Sequence, residues 1–482
     1  MNAAQEFEAV IGLEVHVQLA TDSKLFCGCS TKPSDSVNRN VCPICAGHPG
    51  TLPVLNEKVA EYAVRAGLAT GCTINPKSQF ARKNYFYPDL PKGYQISQFE
   101  NPICENGFLE IETGSEKKKV AIQRIHIEED AGKSVHADGY SMVNLNRAAV
   151  PLVEIVSGPD MRSSAEAGAY LRGLYAIVTY LGICEGNLQQ GNFRCDANVS
   201  VMPKGSSKFG TRTEIKNVNS FRFVEKAIDY EIARQIQVIR SGGKIIQETR
   251  LYDSDKNITS SMRSKEESHD YRYFPDPDLM RIQLSEAFIQ KVKASLPELP
   301  EQKRGRYVSQ YGLTPYDAGV LTQTKSMAQF FDHAVELAKD SSLAKGITNI
   351  ITGTLARLLN DSELDVSQSK VTPKHVADLA QLIQGQVISS TGAKAALNQA
   401  WKTGESVESI VDSLGLKQVS DLSSLEPAID QIIAANPKQA EEFRAGKDKL
   451  LGFFVGQVMK ATGGKANPAM LGELVKKKLS GG

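Results

Sequence analysis

Near its start the chain reads V-I-G-L-E-V-H-V-Q-L (10–19), and from Leu13 onward apolar and polar residues alternate strictly. Successive side chains of an extended strand point to opposite faces, so Leu13, Val15, Val17 and Leu19 share one face and Glu14, His16 and Gln18 the other. One face is core and the other is free for chemistry. By the same reasoning R-C-D-A-N-V-S-V buries Cys195, Ala197, Val199 and Val201 and displays Arg194, Asp196, Asn198 and Ser200. T-R-T-E-I-K aligns Arg212, Glu214 and Lys216. In R-I-H-I-E-E-D, Arg124, His126 and Glu128 oppose Ile125 and Ile127, and Glu129 falls on the other side unless a bulge turns it.

A polar strand face is simply solvated in most antiparallel sheets. Four such strands, carrying acids mixed with histidine, asparagine and arginine, suit a further role. Carboxylates gathered on one concave face hold a hard divalent cation that bridges nucleotide phosphates. Arginines beside them meet the charge that develops in phosphoryl transfer. The sequence has no Walker A motif and no protein-kinase glycine loop, so a phosphate site here would be borne on the sheet.

The chain has 482 residues, enough for about three domains. Lys and Arg total 56 against 55 Asp and Glu, which excludes a general polyanion binder and leaves any nucleic-acid contact to a local patch. The first twenty residues lack a basic start followed by an apolar core, and no stretch reaches the roughly 18 apolar residues that span a bilayer; a soluble, cytoplasmic protein is expected. Up to about Asp278 short alternating runs, turns and tyrosines dominate, and beyond S-L-P-E-L-P-E-Q the pattern is helical. A boundary is placed near Pro297 and a second composition shift at Lys402 to Ser406, giving domains 1–296, 297–403 and 404–482. Two helices are predicted in the first region. One starts at the box S-S-A-E from Ser163 and carries Leu171, Leu174, Tyr175, Val178 and Leu181, and the other carries Val224, Ile228, Ile232, Ile236 and Ile239. Both are expected to cover a sheet.

C-G-C at Cys27 and Cys29 is followed by C-P-I-C at Cys42 and Cys45. Two pairs at this separation in a cytosolic chain read as a four-thiolate structural Zn²⁺ site, which has no open position for water. Reduced thiols, or a site in which His48 replaces one sulfur, are the alternatives. The other four, Cys72, Cys104, Cys184 and Cys195, stand alone and read as small buried hydrophobes. A-R-K-N-Y-F-Y-P-D-L-P-K-G-Y-Q-I-S-Q (81–98) and H-D-Y-R-Y-F-P-D-P-D (269–278) interleave basic and aromatic residues. Such segments stack and neutralise a single-stranded nucleic-acid end, or else form tyrosine-rich packed turns. From Asn436 to Gly482 nine Lys or Arg face four Asp or Glu, a local basic patch of the kind phosphate binding requires, or a solvated helical end.

The runs I-G-L-E-V-H-V-Q-L, R-K-N-Y-F-Y-P-D-L-P-K-G-Y-Q-I-S-Q, I-E-E-D-A-G-K, N-R-A-A-V-P-L-V-E-I-V-S, R-C-D-A-N-V-S-V, T-R-T-E-I-K-N-V-N-S-F and H-D-Y-R-Y-F-P-D-P-D-L occur in that order across the first 280 residues. Together they resemble the B-subunit family of the glutamyl/aspartyl-tRNA amidotransferases. G-F-F-V-G-Q-V-M-K-A-T-G-G-K-A-N-P (452–468) is similar to the family's tail signature. The resemblance implies an α+β cradle domain with a mostly antiparallel, glutamine synthetase-like sheet, then a helical domain and a small helical tail that touches tRNA. It implies a Mg²⁺ site on Glu14, His16, Glu128, Glu129, Asp196 and Glu214, with Arg194 or Arg212 adding positive charge. The cysteines match the zinc-bearing members. Ile351 departs from the pattern, standing where an aromatic is expected.

The implied reaction uses ATP to phosphorylate the side-chain carboxylate of Glu-tRNA(Gln) or Asp-tRNA(Asn), after which ammonia displaces phosphate to give Gln-tRNA(Gln) or Asn-tRNA(Asn). Free ammonia would leak or protonate in bulk water, and the sequence shows no glutaminase signature. It is therefore expected from a partner, the amidase-type glutaminase of the same enzyme, in a heterotrimer completed by a third, small polypeptide. Lys83, Tyr85, Lys92 and Tyr94 are candidates for lining the ammonia or acceptor-end path. The rival readings are a freestanding carboxylate-amine ligase, which gives the tail no task, and a non-catalytic tRNA-binding scaffold.

Overall fold

The structure is a computed structural model, and it describes residues 6–114, 116–188, 190–218, 220–264, 268–418, 422–461 and 468–480. Lys465, Asn219 and residues 462–467 of the tail run lie outside the described residues, as does the side chain of His269. The chain divides into two compact units, Met1–Leu299 and Pro300–Gly482.

The elements of the first unit that position the polar strands are, in chain order, β1 (Phe7–Gln18), α1 (Glu57–Ala69), β2 (Thr73–Ile74), β3 (Ala81–Asn84), β4 (Tyr94–Ser97), β5 (Cys104–Thr113) and β6 (Glu116–Glu129). They continue with β7 (Pro151–Ser157), α2 (Ser164–Tyr180), β8 (Phe193–Pro203), β9 (Thr213–Val218), α3 (Phe221–Arg240), β10 (Glu248–Asp253), β11 (Ile258–Ser264) and β12 (Phe274–Pro275). Nine strands form one sheet in the order β11-β10-β9-β8-β1-β7-β6-β5-β2. Neighbours are antiparallel except β9 and β10, which run parallel and are joined through α3, the crossover that parallel pairing needs. The alternation in β1 is realised: Leu13, Val15 and Val17 are buried while Glu14, His16 and Gln18 are partly open. Val15 and Val17 share one core with Ile125, Ile127, Val153, Ile155, Ala197, Val199 and Ile215 of the neighbouring strands. Val59 and Ala63 of α1, Leu171, Leu174 and Val178 of α2, and Val224 and Ile228 of α3 belong to the same core, so the three helices cover the apolar face.

Ser163 caps α2, accepting from the Glu166 amide at 3.2 Å. The return half of the expected box is displaced by one residue, because the Glu166 carboxylate accepts from Arg162 N at 2.8 Å and also pairs with Lys118. α1 carries no such signature before its first residue; Asn56 caps it by accepting from Lys58 N. Cys72, Cys104, Cys184 and Cys195 are all buried, as lone thiols in a core should be. A second, three-stranded sheet, β12-β3-β4, meets the end of β6 where Gln95 and Ile96 N of β4 donate to Glu129. Where β5 pairing stops at Ile125, the Gln98 side chain accepts from Ile127 N at 2.9 Å and takes over the open edge.

The second unit is helical and contains two hydrophobic clusters, one running from Tyr307 to Val411 and one from Leu425 to Leu479. Ile351 is buried in the first of these, at the start of a π-helical turn, Ile351–Leu355. Among the described residues no helix is long and apolar enough to cross a membrane.

At the far edge of the large sheet, Glu231 of α3 is fully buried and is met by Thr213, Gln235, Arg234, Thr259 and Arg250. This network pins α3 to β9, β10 and β11. Removing one partner of a buried ion pair leaves the other uncompensated, so Glu231→Ala should lower folding stability by about 3 kcal/mol, read as a fall in the urea midpoint.

Candidate active site

The polar face of the sheet is a set of registered positions. Glu14 stands opposite Asp196 on β8, and His16 lies between Arg194 on β8 and Glu154 on β7. Glu154 in turn pairs with His126 on β6, and Asn198 pairs with Glu214 on β9. Strands that are far apart in sequence thus bring Glu14, His16, Glu128, Asp196 and Glu214 to one face.

Within that face the side chains separate into two groups. His16 Nε2 lies 3.5 Å from both Glu128 Oε1 and Glu154 Oε2. His126 Nε2 lies 3.2 Å from Glu154 and 3.6 Å from Glu128, while its Nδ1 is buried with no hydrogen-bond partner among the described residues. Ligand atoms of His16, Glu128 and Glu154 all fall within 4.8 Å of one another, a donor set of two carboxylates and an imidazole that fits a hard divalent cation. In the second group, Asn198 donates to Glu14 at 2.9 Å and Thr249 to Glu214 at 2.8 Å. Lys216 forms an ion pair with Asp196 and stands 3.3 Å from Glu214.

Charge compensation shifts these groups as expected. Burial alone would lower His126, but the charge of Glu154 and the hydrogen bonds His126 donates to Glu128 and Glu154 raise it to about 9. Burial would raise Glu154 and Glu128, yet the same imidazole, with His16, holds both below the usual carboxylate range. Burial would lower Lys216, and Asp196 and Glu214 push it up instead.

Arg194 donates to Asp130 at 3.0 Å, and Arg147 approaches the same carboxylate at 3.5 Å. Arg212 precedes β9, exposed, and lines a cleft of about 480 Å³ together with Glu14, Asn198, Ser200, Phe209 and Gln247. A larger cleft, about 1150 Å³, lies between α3 and the start of α2 and holds none of the acids of the polar face. Glu129 does not join either acid group. The register runs on without a bulge from Arg124 to Glu129, so Glu129 turns to the other side, where it pairs with Lys92 and accepts from Ile96 N at 2.8 Å. The four path candidates divide in the same way. Lys83 is 4.8 Å from the Tyr271 ring and helps hold Glu154 ionised, and Tyr85, pushed up by burial and by Glu128, lies on that same acid side. Lys92 and Tyr94 line a separate cleft of about 200 Å³ with Cys27, Cys45, His48 and Glu129.

The sulfurs of Cys27, Cys29, Cys42 and Cys45 lie within 4.8 Å of one another, with Cys42 and Cys45 at 3.9 Å. A tetrahedral Zn²⁺ with bonds of about 2.3 Å needs sulfur separations of about 3.8 Å, so the donor set fits. A hydrogen bond from the Cys27 thiol pulls Cys45 down to about 4 against its burial, helped by the Cys42 amide and Lys24, and the same bond pushes Cys27 up. Lys24 is fully buried and donates to Asn40 O at 2.7 Å, Leu145 O at 3.3 Å and Cys45 Sγ at 3.5 Å. A buried ammonium needs an anion, and a four-thiolate zinc centre is one.

Comparison with known proteins adds what geometry alone does not. The family described as GatB/GatE catalytic domain matches residues 9–290, and the GatB domain family matches residues 329–479. The B subunit of the aspartyl/glutamyl-tRNA(Asn/Gln) amidotransferase of Trichlorobacter lovleyi is 58% identical over 98% of this chain and 100% of its own length. That of Geobacter sulfurreducens is 57% identical over 98% and 100%. The chain belongs to this B-subunit family.

Seen as a member of the family, the chain has two residues in the acid cluster that sequence reasoning left unassigned. Glu154 is the lone acid of P-L-V-E-I-V-S, and that isolation in a central strand was the available signal. His126 shares the alternating face with Glu128 but had no role attached to it. In the tail, Lys476 and Lys477 are exposed, whereas Lys478 is tied to Glu426 and Asp430 and Lys447 to Glu442.

A base held above its ordinary value of 6.5 stabilises the fold fully below that pH and loses the contribution as pH rises through about 9. Glu154 and Glu128 act oppositely, contributing above about 4.5 and losing it as pH falls. In magnesium-free buffer the folding stability should therefore fall between pH 6.5 and 9 by roughly 3 kcal/mol, read as a lower urea midpoint, and His126→Gln should flatten that limb.

Proposed function

We propose that this chain is the component of the amidotransferase that activates and amidates the side-chain carboxylate of Glu-tRNA(Gln), Asp-tRNA(Asn) or both, giving Gln-tRNA(Gln) or Asn-tRNA(Asn). The observation that carries this reading is the acid face built from β1, β6, β7, β8 and β9 in a full-length member of the B-subunit family. A carboxylate resists attack by ammonia until one oxygen becomes a good leaving group. ATP supplies that change: its γ-phosphoryl passes to the side-chain carboxylate, ADP departs, and ammonia then forms the amide as phosphate leaves.

Glu14, His16, Glu128, Glu154, Asp196 and Glu214 are the residues that would hold Mg²⁺. When bound, that ion supplies the positive charge that draws in the phosphate oxygens and offsets the charge developing during transfer. The rest falls to the chain's own groups. The cleft beside Glu14, Asn198 and Arg212 has a volume suited to a nucleotide, with the exposed Phe209 ring as a stacking surface and Arg212 as a cation for phosphate. Asn198 fixes Glu14, and His126 orients Glu128 and Glu154. Lys83 and Tyr85 line the carboxylate-facing side of the acceptor-end path, and Lys92 and Tyr94 the side toward the cysteines. Cys27, Cys29, Cys42 and Cys45 hold a structural Zn²⁺.

The first unit is read as a glutamine synthetase-like cradle, 1–296, followed by a helical domain, 297–403, and a tRNA-binding tail, 404–482. Ammonia comes from the amidase-type glutaminase partner, with a third, small polypeptide completing a cytoplasmic heterotrimer. A scaffold role would leave the buried acids and their matched counter-charges without a task.

Reconstitution with these two partners, misacylated tRNA, Gln and ATP tests the proposal. Amidated aminoacyl-tRNA should form, and Asp196→Ala or Glu154→Gln should cut it by more than about a hundredfold while the complex still assembles. No product from an intact complex would refute it. Elemental analysis should give one zinc per chain, lost in Cys42→Ser together with stability of the loop from Phe26 to Thr51.

A further inference from the structure

Lys24 is fully buried, and among the described residues no carboxylate pairs with it. Its backbone belongs to the first cysteine pair, because Lys24 N donates to Cys29 O at 2.9 Å and so closes the turn that carries Cys27 and Cys29. Its side chain crosses to the second pair. There Nζ donates to Asn40 O at 2.7 Å and to Cys45 Sγ at 3.5 Å, and it also reaches Leu145 O, in the segment before β7, at 3.3 Å. An ammonium has three N–H donors, and these three acceptors use all of them. Two of the acceptors are neutral carbonyls, so the sulfur is the partner that can bear a full opposite charge.

A charge taken out of water is tolerated only against an opposite one. A divalent ion on four thiolates keeps two negative charges, whereas three thiolates and a neutral imidazole leave it one. The ammonium therefore matches an all-sulfur centre better than one in which His48 replaces a thiolate. Position agrees with charge, because His48 is exposed and does not belong to the set of donors gathered within 4.8 Å. We infer that Lys24 is the built-in counter-ion of this centre: it offsets part of the charge of a divalent ion held by four thiolates, and so retains the metal. Lys24 acts through Cys45 and is in this sense a positioning residue for the metal. The same three contacts join the turn at Cys27 and Cys29, the segment from Asn40 to Cys45 and the segment at Leu145, so the charge match is spent on holding three stretches of chain together. The inference rests on the reading of the four cysteines as a zinc site.

Two measurements on the assembled, full-length amidotransferase test it. X-ray absorption at the zinc edge should show four sulfurs around zinc in the unmodified complex. Competition with a chromophoric chelator should strip zinc from Lys24→Met, and from Lys24→Gln, which keeps an N–H donor and loses only the charge, at a roughly tenfold lower chelator concentration. A second background separates charge from packing. In Cys29→His the centre carries one negative charge fewer, and there the same lysine substitutions should change zinc retention by less than about threefold. An equal loss in both backgrounds would overturn the inference, because a lysine that only packs the loop would cost the same in each. Folded Lys24→Gln that keeps zinc as tightly as the unmodified complex would sink it as well. Three sulfurs and one nitrogen around zinc in the unmodified complex would refute it with no variant needing to fold. An unmodified complex without zinc would overturn the reading of the cysteines as a metal site, and the lysine's role with it.

Discussion

The polar face exists only in one register of β1 between β7 and β8. Glu14 opposite Asp196, and His16 between Arg194 and Glu154, are consequences of that alignment, and a slip of one residue would turn each of them to the other side of the sheet. What holds the register is the opposite face. Leu13, Val15 and Val17 are almost wholly buried with Ile155, Val153, Ala197 and Val199 beneath α1, α2 and α3. Each such side chain contributes on the order of 1.5–3 kcal/mol by leaving water, so a slip that exposed even three of them would cost more than the polar face itself could return.

That apolar anchor allows the face above it to be crowded with charge. Like charges a few ångströms apart in a partly dry place are tolerated only when each is matched, and the matching here is nearly complete. His16 and His126 serve Glu128 and Glu154, Lys216 serves Asp196 and Glu214, Arg194 and Arg147 serve Asp130, and Arg82 serves Asp276. Charges matched in this way are already organised, so few dipoles would need to reorient were further charge to develop on this face.

Alternation made most of this legible. Strands with one solvated face display their chemistry as every second residue, and Glu14, His16, Glu128, Asp196 and Glu214 were readable for that reason. Glu154 was not, because its same-face neighbours Leu152 and Val156 are apolar, Leu152 being buried. The run therefore reads as a uniformly hydrophobic central strand with one stray acid. The contact between Lys216 and Asp196 was hidden for a different reason: it depends on the bulge at Asn217, and a single residue in the left-handed region leaves no periodic trace. Helix α1 was missed because it lacks a box-type start, whereas the stripe from Val224 to Ile239 announced α3 plainly.

Glu128 and Glu129 show how one strand can serve two sites. They are adjacent in β6, and the unbroken pleat sends them to opposite sides. Glu128 joins His16 and Glu154 on the acid face, while Glu129 meets Lys92 in the cleft that also contains Cys27 and Cys45. Lys24 reaches the cysteines from the segment just after β1, the strand that carries Glu14 and His16. The thiolate cluster and the acid face are therefore fixed by the same two strands. A metal held by the four thiols would staple that loop and so steady the backbone from which the acid face projects its carboxylates.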